Sequence, residues 1–400
     1  MPSESQAQVL PGLSRDAAAP DLPQADRVSR DASVMLGLTL PTDTVLYLLL
    51  PLHTAAFGVN LAEAGLLLAA NRLVRILGYG WVARSYERHG PRIACCAAVL
   101  GSAASSLGYA LLPGVWWLLA ARLVWGLSFA AMNIATQALA TAEAAGAARR
   151  SGRSRAIIAA GPMLGLIGGA LLAEAAGPQA VFLALAAVAL LALPFAWRLP
   201  GGHGEKVRGG PRFGLPARLD LWSFVQGLAL DGLFVLGLSV LAAAALPEGA
   251  ALAAGAALAL RYAAEIVLGP AGGALGERFG ASRTLVLLSL GSAAGLALIG
   301  GGALWLGALS VVLLRGLLQP LPAPVAAAAA PGPQRVAALA RLATWRDLGA
   351  GLGPLAAGVL LPVLPPWLLY GAAALGLAAV SLALRRPAGA GREPPSPGPA

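Results

Sequence analysis

Charge is what this chain has least of. Asp, Glu, Lys and Arg make up 12% of its 400 residues, against roughly 25% in a soluble domain. That is about half of what a water-facing surface needs. With 58% hydrophobic residues and a mean hydropathy of +0.74, the ordinary soluble class is excluded. Lysine is reduced to Lys206 alone. The two cysteines, Cys95 and Cys96, are adjacent in an apolar stretch. Neighbours on a helix point about 100° apart, which excludes a structural disulfide or a metal pair and leaves small apolar packing residues. Of the three histidines, His53 reads as packed or interfacial, and His89 and His203 fall in loops. No G-x-x-x-x-G-K-S/T run occurs, so the chain carries no ATP site of its own. Gly300-Gly301-Gly302 lacks the strand–turn–helix context of a phosphate loop. The first 30 residues lack the basic start and apolar core of a signal peptide. Neither a metal nor a cofactor is expected.

What is present is apolar length. Twelve blocks of about twenty residues cover approximately 34–57, 62–82, 93–112, 115–139, 156–172, 180–197, 221–246, 251–271, 284–300, 303–325, 336–361 and 367–384. Each suffices to cross a ~30 Å hydrocarbon core as a helix, and the alternation of a membrane barrel is absent. The net charge of +10 does not indicate nucleic acid, because the arginines lie in short segments between blocks instead of forming one basic face. Arg84, Arg88 and Arg92, then Arg149, Arg150, Arg153 and Arg155, then Arg278 and Arg283, then Arg335 follow even-numbered blocks; segments 58–61, 174–179 and 246–250 contain no Lys or Arg. By the positive-inside rule both termini face the cytoplasm, and an even count fits this partition. The sequence thus predicts an all-α, multi-pass protein of the inner (cytoplasmic) membrane. Its expected organisation is a disordered cytoplasmic tail (1–32), a six-helix bundle (33–197), a cytoplasmic linker (198–219), a second six-helix bundle (220–385) and a disordered tail (386–400).

The halves superpose. Glu87-Arg88-His89-Gly90 matches Glu277-Arg278-Phe279-Gly280, Asp43 matches Asp231, Arg122 matches Arg315, and Gly161-Pro162 matches Gly353-Pro354, all at offsets of 188 to 193 residues. Four pairs in register indicate duplication, and parallel repeats about an axis along the membrane normal are a transporter architecture.

These same residues carry a resemblance. Gly273-Ala274-Leu275-Gly276-Glu277-Arg278-Phe279-Gly280 resembles the G-x-L-a-D-r-x-G loop of the major facilitator superfamily; its first-half counterpart has Ala83 where the first glycine belongs and Pro91 after Gly90. Arg122-Leu123-Val124-Trp125-Gly126 resembles that superfamily's arginine motif in the fourth helix. Gly161-Pro162-Met163-Leu164-Gly165 resembles part of the helix-packing motif of its proton-driven exporters, without the upstream glycines. The resemblance implies two pseudo-symmetric bundles and a cytoplasmic latch. In that latch Glu87 meets the start of the eleventh helix near Arg341 and Arg346, and Glu277 meets the start of the fifth near Arg153 and Arg155.

Charges at membrane depth are costly and mark function. Asp43, Arg72, Asp231, Arg261 and Arg315 lie about ten residues into their blocks, with Arg75, Arg122 and Glu265 slightly off the midplane. Arg261 and Glu265 are spaced i,i+4, and Asn71, Arg72 and Arg75 form a comparable patch. Three acids against five arginines leave positive charge that a bound anion would neutralise, unless some arginines snorkel or bond to backbone. Asp43 is the first choice of proton site, followed by Asp231 and Glu265, since burial raises a carboxylate's pKa. The expected function is a monomeric, proton-coupled secondary transporter exporting a small solute, an organic anion or a drug-like metabolite. The alternative is a non-transporting receptor or membrane scaffold of the same fold. An intramembrane enzyme would want a His/Asp or Ser/Lys cluster, so no catalytic residue is assigned.

Overall fold

A computed structural model describes residues 22–202, 216–245 and 250–385. The expected tails at 1–21 and 386–400, linker residues 203–215 with His203 and Lys206, and the short segment 246–249 lie outside the described residues. Everything described is helix or short connection, with no strand. The helices are α1 (Leu22–Thr39), α2 (Pro41–Leu52), α3 (Leu61–Leu111), α4 (Val115–Ala140), α5 (Ala147–Leu190), α6 (Leu193–Trp197) and α7 (Arg218–Gln226). A π turn, Gly227–Leu233, joins α7 to α8 (Phe234–Ala245). Then come α9 (Ala250–Phe279), α10 (Ala281–Gly300), α11 (Leu304–Leu318), α12 (Pro322–Ala329), α13 (Arg335–Leu360) and α14 (Pro366–Ala383).

Seven apolar helical stretches among the described residues are long enough to cross a bilayer, and α11 with α12, bent by 42°, forms one further broken stretch. The α11–α12 break follows from Pro320, Pro322 and Pro324, which withdraw three backbone donors within five residues. Helices α9 and α13, which carry Arg261, Glu265, Arg346 and Asp347, are not among the seven. Two of the seven span 51 residues each. A straight helix of that length would measure about 76 Å at 1.5 Å per residue, over twice the apolar thickness. Neither is straight. In α3, Gly90 leaves helical geometry at φ 78°, ψ 168°, and in α5, Gly177 does so at φ 83°, ψ 165°.

The loop expected around Arg84, Arg88 and Arg92 is therefore helix on both sides of a single glycine. Its repeat partner Gly280 makes the same one-residue hinge between α9 and α10, at φ 88°. The expected disordered tail also shortens, because α1 begins at Leu22 and buries Ser29, Asp31, Ala32 and Ser33.

Three buried apolar clusters hold the chain together. One lies wholly within residues 45–185 and one wholly within 219–384. The third joins Met35, Tyr79, Trp125 and Leu139 to Leu339 and Leu342. That shared core sits at the end of the molecule bearing Arg84, Arg149, Arg278 and Arg335, here the arginine-rich end. The outer surface is apolar: Leu77, Trp116 and Leu375 are each more than two-thirds exposed, an arrangement suited to lipid contact and unsuited to water.

Glycine decides which helices touch. A Cβ on Gly161 would lie 1.8 Å from Gly37 O, bringing α5 against α1, and one on Gly165 would lie 2.6 Å from Pro41 Cβ. The repeat-related contact sets Gly353 of α13 within 2.6 Å of Gly232 Cα by the same construction. Between α5 and α9, a Cβ on Gly152 would meet Gly269 O at 2.6 Å, and one on Gly273 would meet Ala148 O at 2.4 Å.

The two hinge glycines give a comparative prediction. A Cβ on Gly90 would sit 2.0 Å from Gly202 O, whereas one on Gly280 meets nothing within 4 Å. Gly280→Ala then carries only the positive-φ cost of roughly 1–3 kcal/mol, and Gly90→Ala adds a backbone clash. Thermal unfolding in detergent should show the larger drop for Gly90→Ala; equal drops would contradict the clash.

Candidate functional site

Both repeat-related acids sit at a helix irregularity. Pro41 restarts the helix, which places Asp43 in the first turn of α2, where the helix dipole favours a carboxylate. Asp231 lies in the π turn, a local widening frequent at functional sites. Glycines press that turn onto α13: a Cβ on Gly227 would lie 2.4 Å from Arg346 O.

Around Asp43, the Arg122 Nη1 donates to Oδ1 at 2.5 Å and the Asn71 Nδ2 donates to the same oxygen at 3.0 Å. Arg122 is fully buried, and its other nitrogens donate to the carbonyls of Leu67 and Leu68 at 3.1 and 3.4 Å. Gly126 makes room for this crossing, since a Cβ there would be 2.3 Å from Val74 Cγ1 and 3.0 Å from Asn71 Oδ1.

The second-half counterpart is denser. Arg315 donates to Asp231 Oδ1 through Nε at 2.8 Å and Nη2 at 2.6 Å, and through Nη1 to Glu265 Oε1. Arg346 Nε donates to Asp231 Oδ2 at 3.0 Å, and Arg261 Nη2 stands 3.6 Å from Oδ1. Arg261 Nε also lies 3.8 Å from Glu265 Oε1, the i,i+4 pair read from the sequence. Asp231 is thus held by three guanidiniums, while Asp43 is held by one.

Two groups from α3 reach across to α13. Arg75 Nε lies 3.0 Å from Asp347 Oδ2, and the Tyr79 hydroxyl donates to that oxygen at 3.0 Å. Arg72 donates to the Ala350 carbonyl. The bonds that join residues before 202 to residues after 216 run from the level of Asp43 and Asp231 to the arginine-rich end. At that end Glu277 Oε1 accepts the Gly146 N–H at 2.8 Å, and Arg335 donates to the Ala142 carbonyl at 3.0 Å.

All nine residues assigned to a pathway from sequence, namely Asp43, Asn71, Arg72, Arg75, Arg122, Asp231, Arg261, Glu265 and Arg315, therefore fall in one continuous polar band. The expected latch pairs do not form, although Arg346 and Arg155 join that band. Arg341 pairs with Asp220 at 2.6 Å, Arg346 with Asp231, and Arg153 with Asp26 at 3.4 Å. Among the described residues Glu87 and Arg88 have no hydrogen bond or ion pair, and Arg278 lies over the Phe279 ring at 5.1 Å. Glu277 is satisfied by a backbone N–H at the start of α5. A helix N-terminus supplies donor and positive dipole together, so no arginine is required there.

Arg155 is the exception that matters most. Carried on α5, it lies within electrostatic range of Arg346, Glu265, Arg315 and Asp231, yet among the described residues it has no hydrogen bond and no ion pair. Asp347 and Tyr79 were missed in the sequence. The signal for Asp347 was a lone carboxylate twelve residues into an apolar block, beside Arg346. With them the band holds seven arginines (72, 75, 122, 155, 261, 315 and 346) against four carboxylates (43, 231, 265 and 347). Arginine stays protonated even when buried, so the field is positive. No group of three or more His, Cys, Asp or Glu residues able to hold a metal occurs among the described residues.

Comparison with known proteins agrees with this architecture. The Major Facilitator Superfamily profile matches residues 32–247. The fold is similar to that of the human organic anion transporter MFSD10 (TETRAN), with a TM-score of 0.73 and 18% identity over 92% of this chain and 100% of that one. A variant of the Escherichia coli fucose:proton symporter FucP gives 0.69 and 15%, covering 91% and 98% of the two chains. The proton:xylose symporter XylE bound to 6-bromo-6-deoxy-D-glucose gives 0.65 and 14%, covering 90% and 94%. No curated protein matches the sequence. The chain belongs to the major facilitator superfamily, and it is a membrane transporter by family and fold.

The unequal clamping of the two acids predicts unequal costs. Removing one partner from a buried pair costs about 3–5 kcal/mol because the other charge is stranded. Asp231→Asn strands parts of three arginines, so it should lower the unfolding temperature in detergent more than Asp43→Asn does. A larger drop for Asp43→Asn would contradict the geometry.

Proposed function

We propose that this chain is a monomeric secondary transporter of the inner membrane that exports a small organic anion by proton-coupled alternating access. Its glycine and proline breaks divide the helices into twelve crossings, six before the 198–219 linker and six after it, with both termini in the cytoplasm. The observation that carries the anion assignment is Arg155. A guanidinium with no hydrogen bond or ion pair among the described residues, in a band with more arginines than carboxylates, is stabilised when a carboxylate or phosphate of the solute enters. That one structurally similar protein is described as an organic anion transporter and two as proton symporters is in keeping with this reading at the level of fold.

The conformation supports alternating access. The shared core at the arginine-rich end, the close α5–α9 glycines and the Glu277–Gly146 bond close that end. With the positive-inside orientation, this is the outward-facing state. Opening inward must break the Arg75–Asp347–Tyr79 bridge and withdraw Arg155 from the second half. Asp43 serves as the proton site because it has a single arginine partner and 15% side-chain exposure, against three partners and 5% for Asp231. Proton arrival and Arg122 release then compete for one carboxylate. The remaining acids, Glu265 and Asp347, are each shared with an arginine whose movement belongs to the conformational step.

Purified protein in liposomes tests this reading with a panel of radiolabelled mono- and dicarboxylates and a cationic control. An imposed pH gradient should drive anion movement; movement of the cation alone would overturn the substrate class. Arg155→Gln should raise KM for the transported anion about tenfold or more and leave the unfolding temperature unchanged, since no intramolecular partner is lost. An unchanged KM would remove Arg155 from recognition. Asp43→Asn should abolish gradient-driven movement and spare anion exchange; retention of gradient-driven movement would remove Asp43 from coupling.

A further inference from the structure

A second basic region lies away from the transport band, at the arginine-rich end. Two adjoining cavities of about 300 and 640 Å³ share Pro23, Arg27 and Arg30 at the start of α1. The smaller runs between α1 and α5 to Arg150, Arg153 and Ser154; the larger extends to Arg198 beyond α6. Five arginines line the pair of cavities and two carboxylates offset them. Asp26 is divided between Arg150 at 3.7 Å and Arg153 at 3.4 Å, and Asp31 stands 3.8 Å from Arg30. Arg27, which lines both cavities, has no hydrogen bond or ion pair among the described residues. Among the described residues the Arg198 side chain meets only the Phe195 ring, at 5.7 Å. Ser33 Oγ lies 2.8 Å from Ser154 Oγ, a contact that ties α1 to α5 at the cavity wall.

We propose that these cavities bind the phosphate of an anionic phospholipid from the leaflet at the arginine-rich end, with Arg27 and Arg198 as its principal cations. Three observations select a lipid over a soluble anion. Trp197, adjacent to Arg198, is 66% exposed, and exposed tryptophan beside arginine at a helix end marks headgroup level in a bilayer. Leu22, at the other rim, is 40% exposed and offers acyl-chain contact. Basic pockets between transmembrane helices on the cytoplasmic side suit phospholipid headgroups, because they sit where phosphates are concentrated. The chain bearing Arg198 is also fixed in place: Arg92 Nε donates to the Leu199 carbonyl at 2.9 Å and its guanidinium lies 6.0 Å over the Trp197 ring. A phosphate bound there would bridge α1 to the end of the first half and hold the amphipathic start of α1 against α5.

The test uses the full chain in nanodiscs of phosphatidylcholine, with or without a minor fraction of phosphatidylglycerol. Unfolding temperature and lipid retained in native mass spectrometry are the readouts. Wild type should be stabilised by phosphatidylglycerol and should retain it. The double variant Arg27→Gln/Arg198→Gln should bind it about 30-fold more weakly and unfold at the wild-type temperature in pure phosphatidylcholine, since neither side chain has a carboxylate partner among the described residues. Arg283→Gln, an arginine at the same end on α10, should behave as wild type. Equal phosphatidylglycerol retention by wild type and the double variant would overturn the site. Equal stabilisation by inorganic phosphate in phosphatidylcholine discs would overturn the lipid assignment and make the ligand a soluble anion.

Discussion

The constraint on which the structure turns is that hydrocarbon cannot solvate charge. An arginine or carboxylate at mid-depth costs several kcal/mol unless protein or trapped water answers it. This chain nonetheless carries both kinds in several of its apolar helices. The structure answers nearly all of them with one another: Arg122 with Asp43, Arg315 with Asp231 and Glu265, and Arg75 with Asp347. Each such pair ties two helices together, so the polar band also organises helix packing. Replacing such pairs with apolar residues is often neutral or stabilising in other proteins. Their presence here is better explained by what they permit than by stability.

What they permit is rearrangement. The first-half cluster hangs on one arginine–carboxylate pair and two backbone carbonyls, while the second-half cluster is a five-membered network of Asp231, Glu265, Arg261, Arg315 and Arg346. At the level of the band the halves are bridged by Arg72, Arg75 and Tyr79 on one side and Asp347 and Ala350 on the other, and at the arginine-rich end by the Glu277–Gly146 and Arg335–Ala142 bonds. Two bodies joined through so few polar contacts, and through glycine surfaces that slide without interlocking side chains, suit rocking about the band. Arg155 belongs to one body and faces the charges of the other, so a ligand at that guanidinium would be felt by both.

Much of the fold was legible because membrane helices obey a length rule. The apolar blocks, the proline break after Arg315 and the repeat relating Asp43 to Asp231 all follow from spacing alone. The residues of the polar band were legible for the same reason: each is a charge at an improbable depth. Asp347 was overlooked because an apolar frame of leucines, alanines and glycines hid it beside Arg346. The π turn at Asp231 was not legible, since it depends on how closely Gly227 and Gly232 let α13 approach. Glu277 does reach the start of α5, but its arginine partners were misassigned for a physical reason. The family resemblance implies arginines near Glu277, but the start of α5 offers a backbone N–H and a helix dipole closer at hand. Arg153 is taken by Asp26 on α1, a helix whose first eleven residues composition assigns to a disordered tail.

The most direct test of alternating access about this band is the distance between its two bodies at the arginine-rich end. Spin labels at Ala144→Cys and Arg278→Cys, in a chain whose Cys95 and Cys96 are replaced by alanine, report that distance by electron–electron resonance in nanodiscs. Rocking predicts a short distance in the resting protein and a second, longer population that grows with a transported anion or with a change of pH. A single short distance under every condition, in protein that still moves solute, would contradict it.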